Sequence, residues 1–318
     1  MRTPRTLVCC LLAASAAAVS AAEPYPARPI EIVNSFAPGG TADINVRALQ
    51  PAAEKALGQP LVQTFRQGGG GIVGTTEVAR STPDGYKLLV VSSGELTAGP
   101  NLAKTSYTLD SFDFVCRVSS RPYGFVVKSG APWQDFAGFR RDVSQNPGKY
   151  TIGTTPQGGV FLTAQHLIHR GGMQLLPVPY GGSGPYLTAV LGGQVDAAWA
   201  PLPSAEGYLR SGQMRLLAVT GPVRVKDYPD VPTFKELGID SPFALWIGIV
   251  APKGVPGERL TFLRNACAQM VKDPGYQQAA AKYGIDISYA TAEQFEKQVR
   301  EEFTVFQGVV QELGLKRQ

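Results

Sequence analysis

Short apolar runs alternate with stretches of helical periodicity along most of the chain. The runs that read as strands are Ile30–Asn34, Leu61–Phe65, Lys87–Val91, Phe125–Val127, Tyr150–Gly153, Leu175–Val178, Ala197–Ala200, Leu216–Thr220 and Leu245–Val250. Between them, Asp43–Leu57, Ile72–Ala79, Gly182–Gly192 and Val255–Met270 carry the spacing of amphipathic helices. Such alternation predicts an α/β fold with mostly parallel strand neighbours. Gly58 is placed to close one helix, Pro83-Asp84-Gly85-Tyr86 reads as a turn, and Pro51 should bend the helix that contains it. At the C-terminus, Thr291 and Gln294 form a capping box. Behind it Phe295, Val299, Phe303, Phe306, Val310 and Leu313 share one helical face, predicting a helix over Thr291–Leu313. That face either packs on its own domain or docks a partner.

Four segments repeat one arrangement: a strand, a glycine-rich turn and a helix start. They run through Phe36–Thr41, Gly68–Gly71, Thr154–Gly159 and Pro179–Ser183. Glycine lets a ligand approach the backbone, and the free amides at a helix start favour an anion. In α/β sheets ligands bind beyond the carboxyl ends of the strands, where these turns lie. Turn geometry alone accounts for glycine at any one of them. Two in the first third and two in the middle suit a cleft with anion-binding loops on both walls.

The N-terminus changes the picture of where the chain works. Arg2 and Arg5 precede an apolar run from Leu7 to Val19, and Ser20-Ala21-Ala22 offers small residues for cleavage. Residues 1–22 therefore read as a secretory signal peptide cut before Glu23, and the mature chain as exported. Cys9 and Cys10 fall inside that leader. Setting Arg2 and Arg5 aside lowers the net charge from +5 to +3, and no run of like charges marks a nucleic-acid surface. With only two histidines, His166 and His169, a multi-histidine metal site is nearly excluded, and neither a metal nor a cofactor is expected. Cys116 and Cys267 remain after the leader. An exported pair can form a disulfide, but they lie far apart and sequence does not show that they meet.

Chemistry beyond binding is thinly marked. Gly69-x-Gly71-x-x-Gly74 fits a dinucleotide fingerprint, and Glu95 stands where a ribose ligand would be expected. An exported protein meets little nicotinamide cofactor, which argues against that use. Gly182-Ser183-Gly184 resembles part of a nucleophile elbow, yet Pro185 takes the place of its last glycine. The histidines have no carboxylate near them in sequence to orient a base. Asp43 either complements a helix dipole or fixes the Gly39-Gly40 loop. Trp199 and Trp246 suit core packing, or stacking on a ligand. No nucleophile–base pair stands out, which leans towards binding rather than catalysis.

The ordered motifs resemble a family. Phe36-Ala-Pro-Gly-Gly-Thr-Ala-Asp43 with Arg47, and Gly68-Gly-Gly-Gly-Ile-Val-Gly74 with Pro83-Asp-Gly-Tyr86, are similar to the first two loops of the Bug-type substrate-binding proteins of tripartite tricarboxylate transporters. Val178-Pro-Tyr-Gly-Gly182, Leu191-Gly-Gly-Gln-Val-Asp196, Gly212–Thr220, Asp230-Val-Pro-Thr233 and Trp246-x-Gly-x-x-Ala-Pro252 continue the likeness in order over nearly all the chain after the leader. The resemblance implies a hinged, two-domain periplasmic-binding-protein fold of type II, with mixed sheets flanked by helices. Domain I would be residues 23–122 and 249–318, and domain II residues 123–248. It implies a monomeric periplasmic receptor, not an enzyme, that captures a small carboxylate and delivers it to membrane permease subunits.

The ligand-binding positions that the resemblance carries over are Phe36, Ala37, Pro38, Gly39, Gly40, Thr41 and Asp43 in the first loop. Gly70, Gly71, Ser92 and Ser93 complete that wall. Thr154, Thr155, Gly158, Gly159, Tyr180, Gly181, Ala200 and Pro201 form the other. Three departures bear on the ligand. Gly159, Phe161 and Leu162 occupy a stretch where relatives often have Ser and His. Gly181 replaces a frequent Lys, and Ala200 a frequent Asp. The expectation is a less polar or aromatic monocarboxylate. Two rivals stay open: a binding protein that signals to a membrane receptor, and an exported hydrolase using Ser183 or the Thr154-Thr155 loop.

Overall fold

The computed structural model describes residues 24–36, 38–155, 158–221, 223–241 and 243–315. The leader over 1–22 and Ala37 of the first loop lie outside the described residues. In chain order the elements are β1 (Ile30–Asn34), α1 (Thr41–Leu57), β2 (Leu61–Phe65), α2 (Ile72–Ala79), β3 (Lys87–Ser92), α3 (Gly99–Leu102) and β4 (Phe112–Lys128). Next come α4 (Phe136–Gln145), β5 (Thr151–Thr154), α5 (Gly159–Arg170), β6 (Leu176–Pro179), α6 (Ser183–Gly192) and β7 (Ala197–Pro201). The last are α7 (Leu202–Arg210), β8 (Met214–Val219), β9 (Ala244–Pro252), α8 (Gly257–Met270), α9 (Pro274–Tyr283), β10 (Ile287–Ala290) and α10 (Ala292–Glu312).

The strands follow the order β2-β1-β3-β9-β4-β7-β5-β6, with β8 and β10 also on β4. Pairs within β1–β3 and within β5–β7 are parallel, as strand–helix alternation predicts. Every pair made by β4 or β9 is antiparallel, so the sheet is mixed. The two long strands are the cause, since they carry the chain between the halves in opposite directions. β4 changes partners midway: Pro122 is the last residue paired with β9, and Tyr123 the first paired with β7.

Local signals set many boundaries. Gly58 takes φ +67° and returns its amide to Glu54 O, closing α1. α1 itself continues through Pro51. The Thr291–Gln294 capping box opens α10. α10 packs on its own chain along its whole length. Phe295 and Val299 join the core beside β3 and β9, while Phe306, Val309 and Val310 join the aromatic core of Phe125, Phe136, Phe139 and Trp199. Phe243 and Phe306 stack with ring centroids 4.3 Å apart. Cys116 of β4 and Cys267 of α8, both buried, are joined by a disulfide. Among the described residues no helix is long and apolar enough to cross a membrane.

Candidate functional site

The four glycine-led helix starts share a property, which α3, α7 and α8 also have. Gly40, Gly71, Gly158 and Gly182 precede α1, α2, α5 and α6, and no side chain caps any of the four. By contrast, Asp135, Asp273 and Thr291 accept first-turn amides of α4, α9 and α10. Amides without such a partner are available to an external oxygen.

One of these starts opens on a cavity of about 420 Å³ lined by Phe36, Gly40, Thr41, Ala42, Ser92, Leu245 and Ile247. Phe36, Gly40, Thr41 and Ser92 belong to the predicted set. Ala42, Leu245 and Ile247 do not. The signal for Leu245 and Ile247 was the alternation in β9, where Trp246 turns into the core and its neighbours therefore face the other side of the sheet. A second, narrower space of about 120 Å³ shares Thr41, Leu245 and Ile247 and adds Ile44, Pro203, Tyr283 and Ile285. A larger hollow of about 550 Å³, bordered by Arg224, Lys226, Lys235, Asp240, Asp286 and Glu301, contains none of the predicted loops.

The first loop is held from below. Gly39, at φ +83°, donates its amide to Asp43 Oδ2 at 2.6 Å, and Arg47 Nη2 lies 3.1 Å from the same oxygen. Asp43 thus fixes the loop as well as standing in the first turn. Pro38 lies on the outer face beside Arg47. The second loop is a tight turn in which Gly69, Gly70 and Gly71 all take positive φ. A Cβ on Gly71 would stand 2.7 Å from Glu95 Cγ, so only glycine fits there.

Glu95 is no ribose ligand. It is 1% exposed, accepts the Ser92 amide at 2.7 Å and lies 2.9 Å from Ser92 Oγ. Burial pushes its carboxyl up to about 7, against the pull of the hydrogen bonds from Ser92 and Ser35.

The other predicted wall is brought near at one point. A Cβ on Gly159 would stand 3.5 Å from the Tyr123 hydroxyl and 4.0 Å from Ser93 Oγ, so the start of α5 meets Ser93. Thr154 Oγ1 is buried with no hydrogen-bond partner among the described residues, and Thr154 O accepts the Tyr180 amide at 2.8 Å. Thr155 and Gly158 continue this loop, and Gly181 is exposed in the next. Ala200 is fully buried among Tyr186, Leu202 and Val219, and Pro201 ends β7 opposite Tyr123. None of these residues lines the 420 Å³ cavity.

The alternative chemistries find no geometry among the described residues. Ser183 Oγ meets Ser204 Oγ at 3.0 Å. His166 Nε2 is bonded to Asp240 O, and His169 pairs with Glu312. Trp199 and Trp246 are both fully buried. Among the described residues no group of acids, histidines and cysteines is arranged to hold a metal.

Comparison with known proteins gives the architecture its context. Residues 45–315 match the family model described as tripartite tricarboxylate transporter family receptor. The chain is 32% identical to the protein BugT of Bordetella pertussis over 95% of this chain and 94% of that protein. A TctC solute binding protein from Polaromonas, solved without ligand, superposes with a TM-score of 0.84 at 28% identity, covering 91% of this chain and 99% of that one. MatC from Rhodopseudomonas palustris, solved with bound malate, superposes at 0.72 and 26% identity over 90% of this chain and all of that one. Fold, motif order and extent of match agree, and the chain belongs to the receptor family of the tripartite tricarboxylate transporters, a family of binding proteins rather than enzymes.

Proposed function

We propose that this chain is a periplasmic receptor that captures a small carboxylate between two lobes and delivers it to permease subunits in the membrane. The observation that carries the reading is the uncapped start of α1, held open by Asp43 at the edge of a cavity that also presents the Ser92 hydroxyl. Amides and a hydroxyl converging without a cation suit a carboxylate, and MatC, a relative of the same fold, was solved with malate.

The lobes would be residues 23–122 with 249–318, and residues 123–248. The partner exchange on β4 at Pro122 and Tyr123 supports a hinge there. Ligand first meets the loops of one lobe, and rotation brings Thr154, Gly158, Gly159 and Tyr180 over it. The receptor acts as a monomer.

The ligand is a weakly polar or aromatic acid. Support comes from the floor of the cleft rather than from its second wall. Phe36, Leu245 and Ile247 face the cavity, and the adjoining space of about 120 Å³ adds Ile44, Pro203, Tyr283 and Ile285 on one side, with Asn45, Arg121 and Asp286 also at its lining. An apolar cavity of roughly 150 Å³ accommodates benzene, so one ring or a short alkyl chain is the scale of group that fits. Calorimetry on the mature protein tests both parts. Benzoate and phenylacetate should bind more tightly than citrate or aspartate. Tight citrate binding with none for the aromatic acids overturns the preference, and failure of every acid overturns the carboxylate reading.

A further inference from the structure

One carboxyl behind the cleft ties its loops together. Glu95 sits in the single π turn Gly94–Ala98 that follows β3. Its Oε2 holds the amide and hydroxyl of Ser92, which itself lines the cavity. Its Oε1 lies 3.4 Å from Thr75 Oγ1 of α2, which is 3.4 Å from Ser35 Oγ at the end of β1. Its Cγ packs against Gly71. The turns into α1 and α2 and the Ser92 wall therefore meet on one ionisable group.

The surroundings hold no counter-charge for it. Among the described residues no Lys, Arg or His forms an ion pair with Glu95. From the segment after α3, Tyr107 donates its hydroxyl to the main-chain oxygen of Glu95, not to the carboxyl. From α10, Glu302 reaches Thr97 and Trp246. From β4, Tyr123 faces Ser93 and Gly159. Glu77 of α2 is engaged at the surface by Arg66 and Lys87, and Asp43 of α1 by Gly39 and Arg47. The glycine turn before α2 and the start of α5 bring no charge.

We propose that Glu95 is a proton-linked positioning residue, so that the cleft holds a carboxylate only while Glu95 carries a proton. This deepens the carboxylate reading and rests on it. Ionised, Glu95 draws the Ser92 hydroxyl hydrogen inward and leaves a negative charge one side chain behind a site meant for an anion. Thr75 spends its own hydroxyl hydrogen on Gly71 O at 2.8 Å, so the oxygen it turns towards Oε1 is an acceptor. A proton on Oε1 fits between the two oxygens. The neutral acid keeps the Ser92 amide on Oε2 and frees the Ser92 hydroxyl to donate into the cleft. The proton comes from solvent, and where Glu95 is ionised in the free protein one is taken up for each carboxylate the cleft binds. Burial already lifts this group close to neutrality, so the exchange falls where a small pH change moves it.

The test is calorimetry of malate, benzoate, phenylacetate and adipate at about pH 6 and about pH 8, in buffers of different ionisation enthalpy. The expected result is affinity about tenfold weaker at the higher pH, with proton uptake on binding there. Glu95→Gln should flatten the profile, whereas Glu302→Gln should leave the ratio intact. Should Glu95→Gln not fold, Ser92→Ala serves instead and should lose affinity mainly at the lower pH, shrinking the ratio. Equal affinity at both pH values without proton uptake, or an unchanged ratio in these variants, overturns the role of Glu95 and leaves the receptor reading standing. Failure of all four acids at about pH 6 overturns that reading itself.

Discussion

Trp246 Nε1 donates to Glu302 Oε2 at 2.8 Å, joining the middle of β9 to the middle of α10 where both residues are buried. The other carboxyl oxygen lies 3.0 Å from Thr97 Oγ1, and Thr97 Oγ1 is 2.5 Å from Ser93 O. A hydroxyl has one hydrogen, and the shorter contact to a carbonyl takes it. The proton between Thr97 and Glu302 must then be that of Glu302. Burial pushes the Glu302 carboxyl up to about 8, against the hydrogen bond from Trp246.

A pH dependence of stability follows. The folded chain binds this proton more tightly than the unfolded chain, whose carboxyl has the ordinary value of 4.5. The contribution is fully present below that value and is lost as pH rises towards about 8. Glu95 acts in the same sense, over a window that closes near 7. Urea denaturation across that range should show stability falling by on the order of a few kcal/mol. Glu302→Gln, which keeps an acceptor for Trp246 and offers Thr97 a donor, should remove the upper part of the slope. A variant as steep as the parent would mean that Glu302 is ionised in the fold.

How far the chain could be read in advance depended on the range of the cause. Gly58, the Pro83–Tyr86 turn and the Thr291–Gln294 box act within a few residues, and each stands where its chemistry implied. β4 was legible only at its apolar end. Its middle carries Arg117, Ser119 and Arg121, polar residues that break an alternating pattern. Ser288 receives Arg117, Asn45 receives Ser119 and Asp286 receives Arg121, all from distant parts of the chain. The site divides in the same way. Strand–glycine–helix order marked Phe36, Gly40 and Thr41 around the cavity, and the family resemblance added Ser92. Leu245 and Ile247 became its floor only because Trp246 packs inward. Glu95 fitted a nucleotide motif by spacing, while its surroundings make it an internal post.

The disulfide offers a second measurement. Cys116 and Cys267 are 151 residues apart in sequence, so the bridge ties β4 to α8 across a long loop. In the chain-entropy account, removing a loop of this size costs about 2–5 kcal/mol. The double variant Cys116→Ala, Cys267→Ala should unfold at lower urea. Its m value should also rise, because the unlinked denatured chain is more open. An unchanged midpoint would mean that the bridge does not form in the protein as isolated.

Asp43 should matter through the loop it holds. Asp43→Ala strips the acceptor from the Gly39 amide, which costs about 1–3 kcal/mol in order at the first loop. If that loop grips the ligand, affinity should fall about tenfold or more by calorimetry. Asp43→Asn retains an oxygen for the amide and loses only the attraction to Arg47, so it should stay within about threefold of the parent. Equal losses in the two variants would place the charge of Asp43, not its anchoring of Gly39, at the centre of binding.

If the cavity beside α1 holds the ligand, its floor should discriminate between ligand classes. Leu245 is half-buried, lines both the main cavity and the narrower space beside it, and sits opposite Arg121 on β4. Leu245→Ala removes apolar surface worth about 1–2 kcal/mol to a group packed on it, and little to a ligand that does not reach the floor. Benzoate and phenylacetate should weaken by about tenfold, and a compact polar acid such as malate hardly at all. Leu245→Asn should widen that gap, because an amide facing an apolar ring must give up water without a new partner. Thermal-shift titration of both variants reads the difference directly. If malate and benzoate weaken together, the floor shapes the α1 loop instead of the ligand's apolar end.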